Sequence, residues 1–228
     1  KVRLRAFRRS CLFTQPCYQR FGDVSLDELP TVRAFAPLCL GLAILAAQPP
    51  AAHANAFEDA VMAELNRVRA DPGELAAELS RYARDNGISR ASNASNYDPY
   101  ALEEAVDFLQ RQPSLKALER DRRLADAALD HVEAQGRTGQ IGHGAQVGLG
   151  RRLQGHGVWA GMSGETISYG QHTPRDVVVQ LVIDYGVMDR GHRDLIFNKG
   201  YSVAGVACGA HAEYGRMCVI DFAGAFPR

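Results

Sequence analysis

Apolar residues recur at helical spacing early in the chain. Phe57, Val61, Leu65 and Val68 form one stripe with charges between them, which predicts an amphipathic helix over residues 56–70. Asp71-Pro72-Gly73-Glu74 then restarts the chain with a capping carboxylate, a proline at the first helical position and a glutamate three residues after the cap. A second helix is expected to follow, through about Tyr82. Over residues 85–99 the apolar period gives way to Asn, Ser, Gly and Asp, a surface-loop composition. Helical spacing resumes in Leu102, Val106 and Leu109 and stops before Pro113. It returns in Leu124, Ala128, His131 and Gln135, and Gly136 ends it.

Residues 139–164 hold nine glycines and no apolar period, so they read as a long loop with a functional or mobile role. Thr173-Pro174-Arg175-Asp176 is a strong helix start, and Val177, Leu181 and Asp184 share one face of the helix expected after it. Two alternating runs close the chain, residues 202–208 and 218–222, joined by residues 209–217 as a hairpin loop. Ala204, Val206 and Cys208 point to one face of the first run, and Cys218, Ile220 and Phe222 to one face of the second. A disulfide between Cys208 and Cys218 is therefore expected across the hairpin. Two buried free thiols, or a zinc site that adds His211, are the alternatives.

A chain of 228 residues, 46% hydrophobic and 23% charged, can bury a substantial core as one domain. Its formal net charge is zero, but seven basic residues lie within the first 33. From Asn55 onward 19 basic residues meet 23 acidic ones, which leaves no basic domain to grip nucleic acid.

Residues 34–47 are apolar and uncharged, yet shorter than the roughly 20 residues a bilayer span takes. Arg33 on one side, Gln48-Pro49-Pro50 on the other and the small-x-small triplet Ala52-His53-Ala54 make them the core of an export signal. Residues 1–31 are then an upstream or n-region extension, 32–54 a signal peptide, and 55–228 one exported domain with no transmembrane span. A long true n-region or a tethering anchor is the alternative. Cys11, Cys17 and Cys39 fall in the leader, so Cys208 and Cys218 are the pair left to the domain.

The candidate chemistry lies in two histidines and a glutamate. His143 has a glycine on each side in Ile141-Gly142-His143-Gly144, which lets the backbone approach a cleft closely. His192 stands in Asp189-Arg190-Gly191-His192-Arg193-Asp194, and Glu165 opens a short strand-like run. Two imidazoles and a carboxylate gathered by the fold would suit a divalent transition metal, with water in any open position. The other histidines read as turn, loop or leader residues, except His131, expected to be packed and hydrogen-bonded.

Several stretches, taken in order, resemble the CAP superfamily of cysteine-rich secretory proteins, antigen 5 and plant pathogenesis-related proteins. They are Ile141-Gly142-His143-Gly144, Gly164-Glu165-Thr166-Ile167, the run from Asp189 to Asn198, Val203-Ala204-Gly205-Val206-Ala207-Cys208-Gly209 and the run from Tyr214 to Phe222. The chain is most similar to that superfamily's bacterial exported branch, from about Phe57 to its C-terminus. The resemblance implies an α+β fold, a three-layer α/β/α sandwich with a small antiparallel sheet and a large central cleft holding two histidines and two acidic residues. His143, Glu165 and His192 match directly. Where relatives often carry Trp and, three positions later, Glu, this chain has Leu181 and Asp184, so the implied metal set is His143, His192, Glu165 and Asp184.

The resemblance further implies a secreted protein, extracellular or periplasmic, that binds Zn2+ or another divalent cation and a lipid, peptide or cell-envelope ligand. No nucleophile elbow, His-Glu-x-x-His helix or phosphate-binding glycine loop is present, which favours binding over catalysis. A protease-like metal-dependent hydrolase is the alternative, with His143 and His192 holding a cation that activates water and Glu165 relaying protons. A purely architectural polar cluster is the third reading.

Overall fold

The computed structural model describes residues 52–88, 98–144 and 147–224. The extension and nearly all of the expected signal peptide lie outside the described residues, as do positions 89–97 of the expected loop. Along the described chain the elements are α1 (Ala52–Ala70), α2 (Pro72–Asp85), α3 (Pro99–Arg111), β1 (Glu119–Arg120) and α4 (Arg122–Gly136). They continue with α5 (Leu149–Gly155), β2 (Ser163–Tyr169), α6 (Pro174–Ile183), α7 (Gly191–Ile196), β3 (Val203–His211) and β4 (Gly215–Ala223). No described helix is long and apolar enough to cross a membrane.

Side-chain caps set the helix starts. Asp71 accepts the Glu74 amide at 2.9 Å, Asp98 accepts that of Ala101 at 2.9 Å, and Thr173 accepts that of Asp176 at 3.1 Å. Each of these caps precedes a proline at the start of its helix, where the missing N–H would have had no intrahelical acceptor.

The sheet runs in the order β1-β3-β4-β2, antiparallel except where the two residues of β1 pair with β3. Both of its faces are covered. Ala204, Val206, Cys218, Ile220 and Phe222 join Val61, Leu65, Leu75, Leu109 and Leu181 in the larger core under α1, α2, α3 and α6. On the opposite face Ile167, Ala207, Met217 and Val219 pack against Ala128 and Val132 of α4, and Ala223 against Leu124 and Leu153. The result is a three-layer α/β/α sandwich, as expected.

Four expectations need correction. The hairpin strands are longer than the alternation suggested, leaving Ala212, Glu213 and Tyr214 as the turn, with Gly215 at φ 74 in the left-handed region that closes three-residue loops. The glycine-rich run contains a helix, α5, whose Leu153 is buried. The short strand β1 lay hidden in an exposed pair, Glu119 and Arg120. Asp184 is not on the face of α6 but caps its end at φ 55. Cys208 and Cys218 are cross-strand partners joined by a disulfide, with Cα atoms 4.1 Å apart, so neither is a free thiol for a zinc site with His211. Beside them Glu58 of α1 accepts the Cys208 amide at 3.0 Å and covers the free edge of β3.

Candidate functional site

The loop carrying His143 joins α4 to α5, and Gly142 and Gly144 hold φ 92 and 74, values a side chain would resist. The Gly142 peptide is bound on both sides. Its N–H donates to the Tyr169 hydroxyl of β2 at 2.9 Å, and its carbonyl accepts from His131 Nε2 at 2.9 Å and Gln135 Nε2 at 2.6 Å. Tyr169 in turn donates to Gln135 Oε1 at 2.9 Å, so the three side chains make one closed network. Burial pushes the Tyr169 phenol up to about 12 and His131 below its ordinary value, so both remain neutral donors at physiological pH.

The His143 imidazole is thereby aimed at Glu165. Its Nδ1–H donates to Oε1 of Glu165 at 2.8 Å, while the other carboxylate oxygen accepts from Nη2 of Arg152, on α5. Glu165 and Arg152 are buried, with side chains 2% and 4% exposed, whereas the His143 side chain is 58% exposed. Burial works to raise the Glu165 pKa, but the His143 hydrogen bond and the Arg152 charge outweigh it, and the carboxyl ends below its ordinary value. Arg152 also donates to the Val147 carbonyl at 2.9 Å, tying down the far end of the same loop.

A second pair mirrors the first. Asp184 Oδ1 accepts from His192 Nδ1 at 2.7 Å, and Oδ2 accepts the His192 amide at 2.9 Å at the start of α7. Asp184 and Arg190 are the two non-glycine residues with positive φ among those described, at 55 and 53, and both bracket the turn that presents His192. Buried arginines hold that turn. Arg193 donates to the Val182 and Ile183 carbonyls at the end of α6, and Arg69 to the Ile196 carbonyl at the end of α7. Glu104 binds both Arg190 and Arg193, and the Arg190 hydrogen bond leads in holding its carboxyl below the ordinary range.

The fold thus brings all four expected residues together as two histidine–carboxylate pairs, with ring centres 6.4 Å apart. Among the described residues no three His, Cys, Asp or Glu side chains are grouped to hold a metal ion. One oxygen of each carboxylate accepts from an Nδ1 and so orients its imidazole. Neither Nε2 hydrogen-bonds to a described residue, and with Nδ1 protonated each Nε2 carries a lone pair. This is the arrangement in which a carboxylate sets the tautomer of a metal-binding histidine. A hollow of about 270 Å³ bounded by Leu153, Val158, Trp159 and Ser163 contains neither imidazole.

Sequence reasoning missed Arg152, Tyr169 and Gln135. One of two adjacent arginines in a glycine-rich run reads as surface charge, and only the burial of its neighbour Leu153 would have marked it.

The chain matches the model of the cysteine-rich secretory protein family over residues 62–222. No curated protein matches it. Among solved structures it is similar to an extracellular SCP-domain protein from Bacillus anthracis, with 23% identity, TM-score 0.40, and coverage of 57% of this chain and 39% of that one. It is also similar to an outer surface protein from Borrelia burgdorferi, at 17% identity and TM-score 0.43, covering 49% of this chain and 80% of that one. A cysteine-rich secretory protein from Staphylococcus aureus shows 15% identity and TM-score 0.37, covering 58% of this chain and 41% of that one.

Proposed function

The chain belongs to the cysteine-rich secretory protein (CAP) family, and we propose that it is an exported binding domain that holds a divalent cation between His143 and His192. The single observation behind this is that both imidazoles have Nδ1 committed to a buried carboxylate and Nε2 left without a described partner. Nitrogen donors of this kind suit zinc or a similar borderline ion, which would act as a Lewis acid toward an oxygen ligand. His143 and His192 would supply two positions, and the ligand and water the rest.

The ligand we favour is an amphiphilic lipid, peptide or cell-envelope component. Ile141 and Val147 flank His143 in its loop, Tyr185 and Met188 precede His192, and all four are exposed. Apolar groups on both sides of a polar centre suit a ligand with a cation-binding head and an apolar portion. Export is supported by the disulfide, which belongs to oxidising compartments. Hydrolysis is the weaker reading because Glu165, its required proton relay, has both oxygens engaged by His143 and Arg152.

Zinc titration followed by imidazole 15N NMR tests the proposal. The Nε2 resonances of His143 and His192 should move together and saturate at one equivalent, while those of His131 and His211 stay put. No shift at either residue would contradict it.

A further inference from the structure

The hollow of about 270 Å³ lies between α5 and the loop that enters β2, apart from both imidazoles. Leu153 and Val158, both buried, line its inner side, and Trp159 stands at its rim 68% exposed. This is the chain's single tryptophan, a residue that folding ordinarily covers far more completely. Gln154 and Ser163 also line the hollow and are exposed, and neither side chain hydrogen-bonds to a described residue. The peptide groups of the adjoining Ala160 and Gly161 are likewise open, with no backbone hydrogen bond to another described residue. Among the described residues no charged side chain lines the hollow. Its polar groups are all neutral, and between them they both donate and accept.

We propose that this hollow is a second binding site that takes one neutral pyranose ring of a glycan, stacked on Trp159. A sugar ring of the gluco configuration turns axial C–H groups to its two faces and hydroxyls to its edge. The indole accepts the C–H face, while the Gln154 amide, the Ser163 hydroxyl and the Ala160 and Gly161 peptides meet hydroxyls that each donate and accept. Other ligands fit less well. An ion would give up its hydration and find no countercharge. An acyl chain would cover Gln154 and Ser163 and leave them unpaired. An extended peptide needs more room, because the hollow falls just below the roughly 300 Å³ at which pockets for larger ligands begin. Its two walls are held together, since Arg152 of α5 binds Glu165 of β2 beside Leu153 and Ser163, so little ordering is left to the moment of binding. The site does not depend on a cation at His143 and His192.

Intrinsic fluorescence of the metal-free protein reads the site directly, because its one tryptophan is the stacking platform. Titration with cellotriose and with tri-N-acetylchitotriose should give a saturable blue shift with at least one of them. The tighter of the two tells a plain glucan from an N-acetylated one. Calorimetry then follows the variants. Trp159→Ala should weaken binding about tenfold and Trp159→Phe less, because a smaller ring still stacks. Gln154→Ala should weaken it about fivefold through the lost hydrogen bonds. All three positions of change are exposed, so the fold should be retained. No saturable shift with either trimer, an unchanged affinity in Trp159→Ala, or a shift produced by trigalacturonate or a proline-rich peptide in place of the neutral trimers would overturn the assignment.

Discussion

A β-carbon added to Gly205 of β3 would stand 2.1 Å from the backbone nitrogen of Ala125 in α4. That helix carries His131 and Gln135, which hold the Gly142 peptide, so the seat of α4 on the sheet sets the height of the His143 loop. Backbone, unlike a flexible side-chain end, cannot step aside. Gly205→Ala should therefore destabilise the protein by about 3 kcal/mol or more, at the upper end of overpacking effects. Urea unfolding checks this, and a midpoint within error of wild type would show that α4 can slide.

Tyr169→Phe removes the hydroxyl that serves both the Gly142 N–H and Gln135 Oε1. Two polar groups then lose their partner, and a loss of about 2 kcal/mol is expected. Backbone NMR relaxation should show residues 141–144 gaining motion. Unchanged relaxation would mean that His131 and Gln135 hold the loop without help.

The helices α1, α2, α3, α4 and α6 and the disulfide pair are legible in the sequence because their signals are local. Asp71, Thr173 and the prolines after them fix helix starts whatever the tertiary context, and Cys208 and Cys218 needed only strand alternation to face each other. His143, Glu165 and His192 could be picked out by residue type and resemblance. What escaped depended on which surfaces are covered. Asp221 sits between Ile220 and Phe222, on the face opposite the alternating apolar set that marks the strand. Met217, Val219 and Ala223 share its face and are apolar, which predicts a second covering layer and marks the lone acid as buried. Asp184 was misplaced for another reason: helical spacing was extended through it, although an Asp just before Tyr185-Gly186 can equally take the left-handed cap.

Burial lowers the His131 pKa below the ordinary imidazole value, so the folded protein holds it neutral while the unfolded chain still takes up a proton. Its contribution to stability is full above about pH 6.5 and is lost as pH falls through that value toward the folded one. Glu165, held below its ordinary value, is lost only further into the acid range as pH falls through its folded pKa. Asp221, held above its own, acts in the opposite sense and loses its contribution as pH rises. Comparing wild type with His131→Gln isolates the histidine. The difference in stability between them should shrink from pH 7.5 to 5.5, and a constant difference would contradict the neutral assignment.

Asp184→Asn keeps a residue that tolerates the left-handed backbone but weakens the acceptor for His192 Nδ1. Zinc affinity should fall about 10- to 100-fold, the usual effect of replacing a group that orients a metal ligand. The melting temperature of the zinc-free protein should change little. Equal affinity in the two proteins would show that His192 needs no carboxylate to point it.

Calorimetric titration of zinc into the wild-type protein, His143→Ala and His192→Ala tests the central claim, that two carboxylate-oriented imidazoles form one cation site. The account predicts one saturable site in the wild type and at least a hundredfold weaker binding in either variant, with cooperative unfolding retained in both. No binding by the wild type, or binding that survives both substitutions, would contradict it.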